Sequence, residues 1–276
     1  MRFLGGMALV LCLICSSCNK KTSKPQFNYD LHLTTTEGDP TKAVICLHGF
    51  GGDYTIANSV YPYFQDKATV ISFNFPDYGK AVGHFDPTLT SFGSIEEILP
   101  ALYVLRHAIV DRGISHVCLY GFSAGGAALI NLLYVLSTSA FDDKLIEVGI
   151  GAKEKMHILQ VIAKGDVILD TPLKSMDEII SVHGLTSDLK VIAKRYRENG
   201  MEPIESITKW KNLSLQVLIH FQVPDEVLSN IDDDRFLNLL HKYNLGSTKT
   251  LMGSEAGHFL PHSKLWEHYL ESSSIF

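Results

Sequence analysis

The sequence predicts an α/β fold: a mostly parallel central sheet flanked by helices, with at most a small cap. Three observations carry this. Apolar runs with little alternation recur along the chain, and strands buried on both faces mark a parallel sheet covered by helices. Helical patterns stand between those runs. The chain has 276 residues, 46% hydrophobic and 20% charged, which suits one sizeable core and fits one domain better than two. A net charge of −6 argues against a nucleic-acid partner, because phosphate binding needs a basic face.

The strands follow in order. Phe27 to Leu33 alternates, as a half-buried edge strand does. Lys42–Leu47 is a continuous apolar run stopped by His48-Gly49. Thr69–Phe75 is the next, closed by Pro76, and Val117–Tyr120 the next, closed by Gly121. Val167–Leu169, Gln216–Phe221 and Thr248–Met252 complete the set. Between them, Ser94 with Glu97 forms a capping-box signature, and apolar residues recur at helical spacing from Ile95 to Ile109. Pro100 should kink or delay that helix, and Gly113 should end it. Ala124–Leu136, Asp232–Tyr243 and Leu265–Ser272 also read as helices, with Asp232-Asp233-Asp234 opening the second. Cys46 and Cys118 lie inside apolar strands, where a thiol behaves as a small hydrophobe. No cysteine spacing points to a metal or to a disulfide framework.

The first residues differ from the rest. Met1-Arg2 gives a positive start, and Phe3–Ile14 is an apolar run too short to span a membrane but suited to a secretion signal. Ser16, Ser17 and Cys18 follow, then a polar stretch to Pro25. The segment resembles a bacterial lipoprotein signal, in which the cysteine becomes the lipidated first residue. The resemblance implies a signal peptide over 1–17, a tether over 18–25, a domain over 26–276 and lipidation at Cys18. It also implies a bacterial cell-envelope location, membrane-anchored and facing the periplasm or the surface.

Gly121-Phe122-Ser123-Ala124-Gly125 fits G-x-S-x-G. A serine on a sharp strand-to-helix turn would raise its hydroxyl above the sheet edge, and side chains two residues either side would collide there. The motif is preceded by a buried strand and followed by a small-residue helix, the setting it requires. His48-Gly49-Phe50-Gly51-Gly52 follows an earlier strand, and so much glycine lets backbone N–H groups point at a substrate oxygen.

On these motifs the chain after the signal resembles the α/β-hydrolase superfamily, of the serine esterase and lipase kind. The resemblance implies Ser123 as nucleophile, with the backbone N–H groups of Phe50 and Ala124 forming an oxyanion hole and His48 supporting its loop. In this family the acid and the histidine follow the serine in that order. His258, in a Gly-His loop after a late strand, resembles the base; His262 is its rival. Asp225, after the strand LQVLIHF, resembles the acid; Glu226 and Asp170 are its rivals.

The implied reaction is hydrolysis of a carboxylic ester or thioester through an acyl-enzyme, with no metal or organic cofactor. Its partner would be a small acyl ester or a lipid. Two other readings stay open: a peptidase of the same fold, and a non-catalytic membrane-anchored binding lipoprotein.

Overall fold

The structure is a computed structural model that describes residues 34–36, 38–75, 91–253, 257–258 and 262–276. The signal segment, the tether and the edge strand expected at Phe27–Leu33 lie outside the described residues. Seven strands form one sheet in the order β1-β3-β2-β4-β5-β6-β7. They are β1 (Thr34–Thr36), β2 (Lys42–Leu47), β3 (Thr69–Ser72), β4 (His116–Phe122), β5 (Asp166–Asp170), β6 (Gln216–Gln222) and β7 (Ser247–Gly253). β1 runs antiparallel to β3; the six strands from β3 to β7 are parallel. The α/β class predicted from the apolar runs is the class observed.

Alternation within the central strands divides the sheet into two faces. Ala43, Ile45, Val117, Leu119, Val167 and Leu169 turn to one cluster. Helices α2 (Ile95–Arg106), α3 (Ala124–Ser137), α5 (Ala152–Ala163), α8 (Pro203–Ile207) and α9 (Asp233–Tyr243) contribute to it. Val44, Cys46, Cys118, Tyr120 and Ile168 turn the other way, toward α1 (Ala57–Phe64) and α10 (Ser263–Ser272). Two covered faces explain why the strands read as unbroken apolar runs. Burial in this second layer pushes the Cys46 and Cys118 thiols up and leaves them inert. The short helix α4 (Asp142–Glu147) joins α3 to α5. Between β5 and β6 stand α6 (Met176–His183), α7 (Ser187–Asn199) and α8, a small cap of helices and no more.

Three local readings differ from the structure. β3 ends at Ser72, not Phe75, because side chains replace the ladder there: the Phe75 N–H donates to His48 Nε2 at 3.0 Å and Asn74 Oδ1 accepts from Tyr54 N–H at 2.7 Å. The box expected at Ser94 does not close: Ser94 donates to the Ser91 carbonyl, while Glu97 accepts the Gly93 N–H. A capping box does form at Ser175 and Glu178, opening α6. Finally, Pro100 does not delay α2, which opens at Ile95 and passes into a π-type turn over His107–Asp111.

Trp266 anchors α10. It is fully buried and meets the Tyr120 ring at 4.7 Å and the Phe64 ring at 5.4 Å. Trp266→Ala should cost about 3–5 kcal/mol, the scale of a large core deletion, measured as a lowered urea midpoint at unchanged slope.

Candidate active site

Parallel strands place their carboxyl ends along one edge, and loops leaving that edge build ligand sites. Here the register aligns Leu47 with Gly121, Phe122 with Asp170, and Asp170 with His220. The loops after β2, β4, β6 and β7 therefore leave side by side. They carry His48, Ser123, Asp225 and His258.

Ser123 sits between β4 and α3 with φ 53 and ψ −118, a left-handed conformation that costs a non-glycine residue energy. Its neighbours hold it there. The Ser123 N–H donates to the Asp170 carbonyl at 2.9 Å, and the Ser123 carbonyl accepts from Gly126 and Leu173 N–H groups at 2.9 and 3.1 Å. A Cβ at residue 125 would lie 2.1 Å from the Leu47 carbonyl oxygen, and one at residue 121 would lie 2.7 Å from the Gly125 oxygen. Both positions need glycine for space, as the motif requires.

His258 Nε2 lies 2.9 Å from Ser123 Oγ, and His258 Nδ1 lies 2.8 Å from Asp225 Oδ2. A carboxylate can only accept, so it selects the tautomer with the proton on Nδ1 and leaves Nε2 free to accept from the serine. Asp225 Oδ1 accepts from the Val227 and Leu228 N–H groups at 2.8 and 2.7 Å. Burial pushes the Asp225 carboxyl up, but the His258 bond and those two amides outweigh it and hold it below its ordinary value. Ser123 and His258 are both buried, and the Phe122 ring packs 5.4 Å from the imidazole.

His48 braces its loop. Its Nε2 accepts the Phe75 N–H, so its proton is on Nδ1, which donates to the Gly49 carbonyl at 2.7 Å. The following turn closes with Gly52 N–H on the Gly49 carbonyl at 3.0 Å. Phe50 is 48% exposed and its ring lies 5.8 Å from that of Phe92. Ala124 opens α3, and the first N–H groups of a helix have no acceptor within it.

The rivals named from sequence have other partners. Glu226 accepts the backbone N–H of His258 at 3.2 Å. Asp170 and His262 meet each other: His262 Nδ1 lies 2.8 Å from Asp170 Oδ1. His220 Nδ1 and the Tyr120 hydroxyl also bond this carboxylate, at 2.8 and 2.7 Å. Sequence reading missed His220 and Tyr120, because both lie inside apolar strands and only the sheet register brings them to Asp170. Asp170, His220 and His262 present ligand-type atoms within 4.8 Å of one another, the one such group among the described residues. Direct hydrogen bonds already join these atoms.

A cavity of about 1110 Å³ opens over Ser123 and His258. Phe92, Leu173, Met176, Ile179, Ile192 and Leu228 line much of it, so α6 and α7 supply one wall.

No family model and no curated protein matches the chain. Solved structures do. Esterase B from Lactobacillus rhamnosis, inhibited by a tributyrin phosphonate, superposes with a TM-score of 0.60 at 16% identity over 87% of this chain and 79% of that one. A lipase/esterase from Lactobacillus plantarum gives 0.57 at 12% identity over 88% and 93%. The Bacillus cereus carboxylesterase gives 0.51 at 14% identity over 90% and 96%. At these identities the likeness establishes a shared fold, the α/β-hydrolase fold.

The state of Asp170 has a measurable consequence. Burial pushes this carboxyl up, but bonds from His220 and His262 prevail and hold it at about 2, below the ordinary 3.8. A depressed carboxyl stabilises the fold above its unfolded value and loses that contribution as pH falls through its folded value. The stability advantage of the wild type over Asp170→Asn should therefore be full above pH ~4 and shrink toward pH ~2, followed by urea unfolding across that range.

Proposed function

We propose that the chain is a serine hydrolase that cleaves a carboxylic ester or thioester through an acyl-enzyme on Ser123. One observation carries the reading: a histidine already oriented by Asp225 through Nδ1 presents Nε2 at 2.9 Å to a serine hydroxyl on a strained turn. A serine hydroxyl is a poor nucleophile unless a base stands within hydrogen-bond reach.

In this route His258 takes the Ser123 proton as Oγ attacks the carbonyl carbon. The carbonyl oxygen becomes an oxyanion, bound by the N–H groups of Phe50 and Ala124. Such donors are in place before the charge develops and stabilise it without reorganising, and losing one costs roughly a hundred- to a thousandfold in rate. The imidazolium, stabilised by Asp225, then gives its proton to the leaving alcohol or thiol as the C–O or C–S bond breaks. Water, deprotonated by His258, attacks the acyl-enzyme, and Ser123 regains its proton as the acid leaves. The route needs neither metal nor organic cofactor.

The apolar lining of the cavity favours a substrate with a sizeable hydrocarbon acyl group. The phosphonate in the Lactobacillus rhamnosis esterase B structure, built on tributyrin, is a probe of this class. From Cys18 and the segment before it, we also propose that an N-terminal lipid anchors the domain at a bacterial cell envelope. Stable anchoring takes more than one acyl chain.

A fluorophosphonate probe should label the wild type and fail to label Ser123→Ala; a pure, folded wild type that takes up no label would end the proposal. Across p-nitrophenyl esters, kcat/KM should rise about threefold or more per added methylene until the cavity is filled. A preference for acetate would count against the apolar substrate. In a bacterial host, an alkyne fatty acid should tag the wild type and leave Cys18→Ser untagged.

A further inference from the structure

Asp170 touches both halves of the site without touching the reacting atoms. Its backbone carbonyl accepts the Ser123 N–H at 2.9 Å. Its carboxylate bonds His262 Nδ1 at 2.8 and 2.9 Å, and His262 Nε2 lies 3.1 Å from the carbonyl of Gly257, the residue before His258. One buried aspartate therefore connects the backbone of the nucleophile to the backbone of the base.

The chemistry of the His262 ring follows from its partners. Nδ1 faces a carboxylate and Nε2 faces a carbonyl, and both only accept. A neutral imidazole could donate to one alone and would press a lone pair against the other oxygen. Two protons satisfy both contacts, and the positive charge lies directly against Asp170. His220 meets the same carboxylate from β6. Its Nδ1 lies 2.8 Å from Asp170 Oδ1 and its Nε2 lies 3.3 Å from the Gln222 side-chain amide. With the Tyr120 hydroxyl as a further donor, the carboxylate is fully bonded. The cluster is buried: Asp170 is 0% exposed and His220 and His262 are each 1% exposed. An ion pair so far from water is held rigidly, and breaking it leaves a lone charge inside.

The loop needs such a hold. Gly257 has φ +62, and a Cβ there would meet Glu226 Oε2 at 2.3 Å, so the chain turns tightly just before His258. The Glu226 carboxylate fixes one side of this turn through the His258 N–H, and His262 fixes the other through the Gly257 carbonyl.

We propose that His262 is a positioning residue: a doubly protonated imidazole, paired with Asp170, that sets the placement of His258 against Ser123. This rests on the hydrolase reading for its consequence in catalysis, while the protonation state of the ring stands apart from it. A misplacement of the base by about 1 Å costs on the order of a hundredfold in rate.

His262→Phe keeps a ring of similar size but loses both bonds. With p-nitrophenyl esters, kcat should fall roughly ten- to a hundredfold while KM stays within about threefold. His262→Gln retains an amide donor for Gly257 and should recover most of that loss. His220→Phe disturbs the same carboxylate but not the loop, so it should lower Tm comparably and leave kcat within about threefold. In wild-type protein labelled with ¹⁵N-histidine, the ring resonance that disappears in either His262 variant should be that of a doubly protonated imidazole at neutral pH. A singly protonated ring there, a folded His262→Phe with wild-type kcat, or an equal loss of kcat in His220→Phe would overturn the proposal. So would a stoichiometric metal ion in the protein as purified. Should the wild type prove inactive on esters, the hydrolase reading fails, and the ring measurement still decides the state of His262.

Discussion

The site depends on how closely the turn at Ser123 lies against the end of β2. The Leu47 carbonyl stands where a Cβ on residue 125 would be, at 2.1 Å. Only glycine permits that approach. It brings the His48–Gly52 loop beside the start of α3, although the two segments are far apart in sequence. The positive φ of Ser123 is tolerated because the surrounding bonds leave it little alternative: its N–H is tied to Asp170 and its carbonyl to Gly126 and Leu173.

Two histidine–carboxylate pairs then stand side by side with different surroundings. His258 faces a hydroxyl through Nε2, so it can gain and lose a proton in place. His262 faces a carbonyl through Nε2, so it can only donate. Both pairs use an Nδ1-to-aspartate contact near 2.8 Å, and what distinguishes them is the atom at the far side of the ring, the Ser123 hydroxyl for one and the Gly257 carbonyl for the other. The same logic assigns His48, whose two nitrogens are both engaged by backbone. Histidine chemistry in this molecule is set by partners rather than by position along the chain.

The small cap has its own fastening. Lys174 pairs with Glu178 of α6 and with Asp233 at the start of α9, the latter at 2.9 Å. The Ser175 hydroxyl bonds Asp232. The acidic run that opens α9 thus also ties down the first turn of α6, whose residues Met176 and Ile179 line the cavity. Glu178 and Lys174 are both buried at this junction, and that burial pushes the Glu178 carboxyl up to about 7 despite its lysine partner.

Much of this was legible in the chain itself. Unbroken apolar runs declared a sheet covered on both faces, and G-x-S-x-G after the run VCLY marked the sharp turn at Ser123. His258 and Asp225 could be singled out by their loops, but Asp170, at a strand end, and His262, close by at the start of the last helix, stayed their rivals. Periodicity reports which face a residue turns, not which distant residue shares that face. The capping of α6 by Ser175 and the side-chain termination of β3 were likewise invisible, because each depends on local geometry that many sequences could adopt. By itself, then, the sequence determined the class of fold, the position of the turn and the short set of residues able to act on a proton. Tertiary structure alone decided which carboxylate meets which histidine. That choice is made by strand register and by atoms at the far side of each ring, and neither is written in the order of residues.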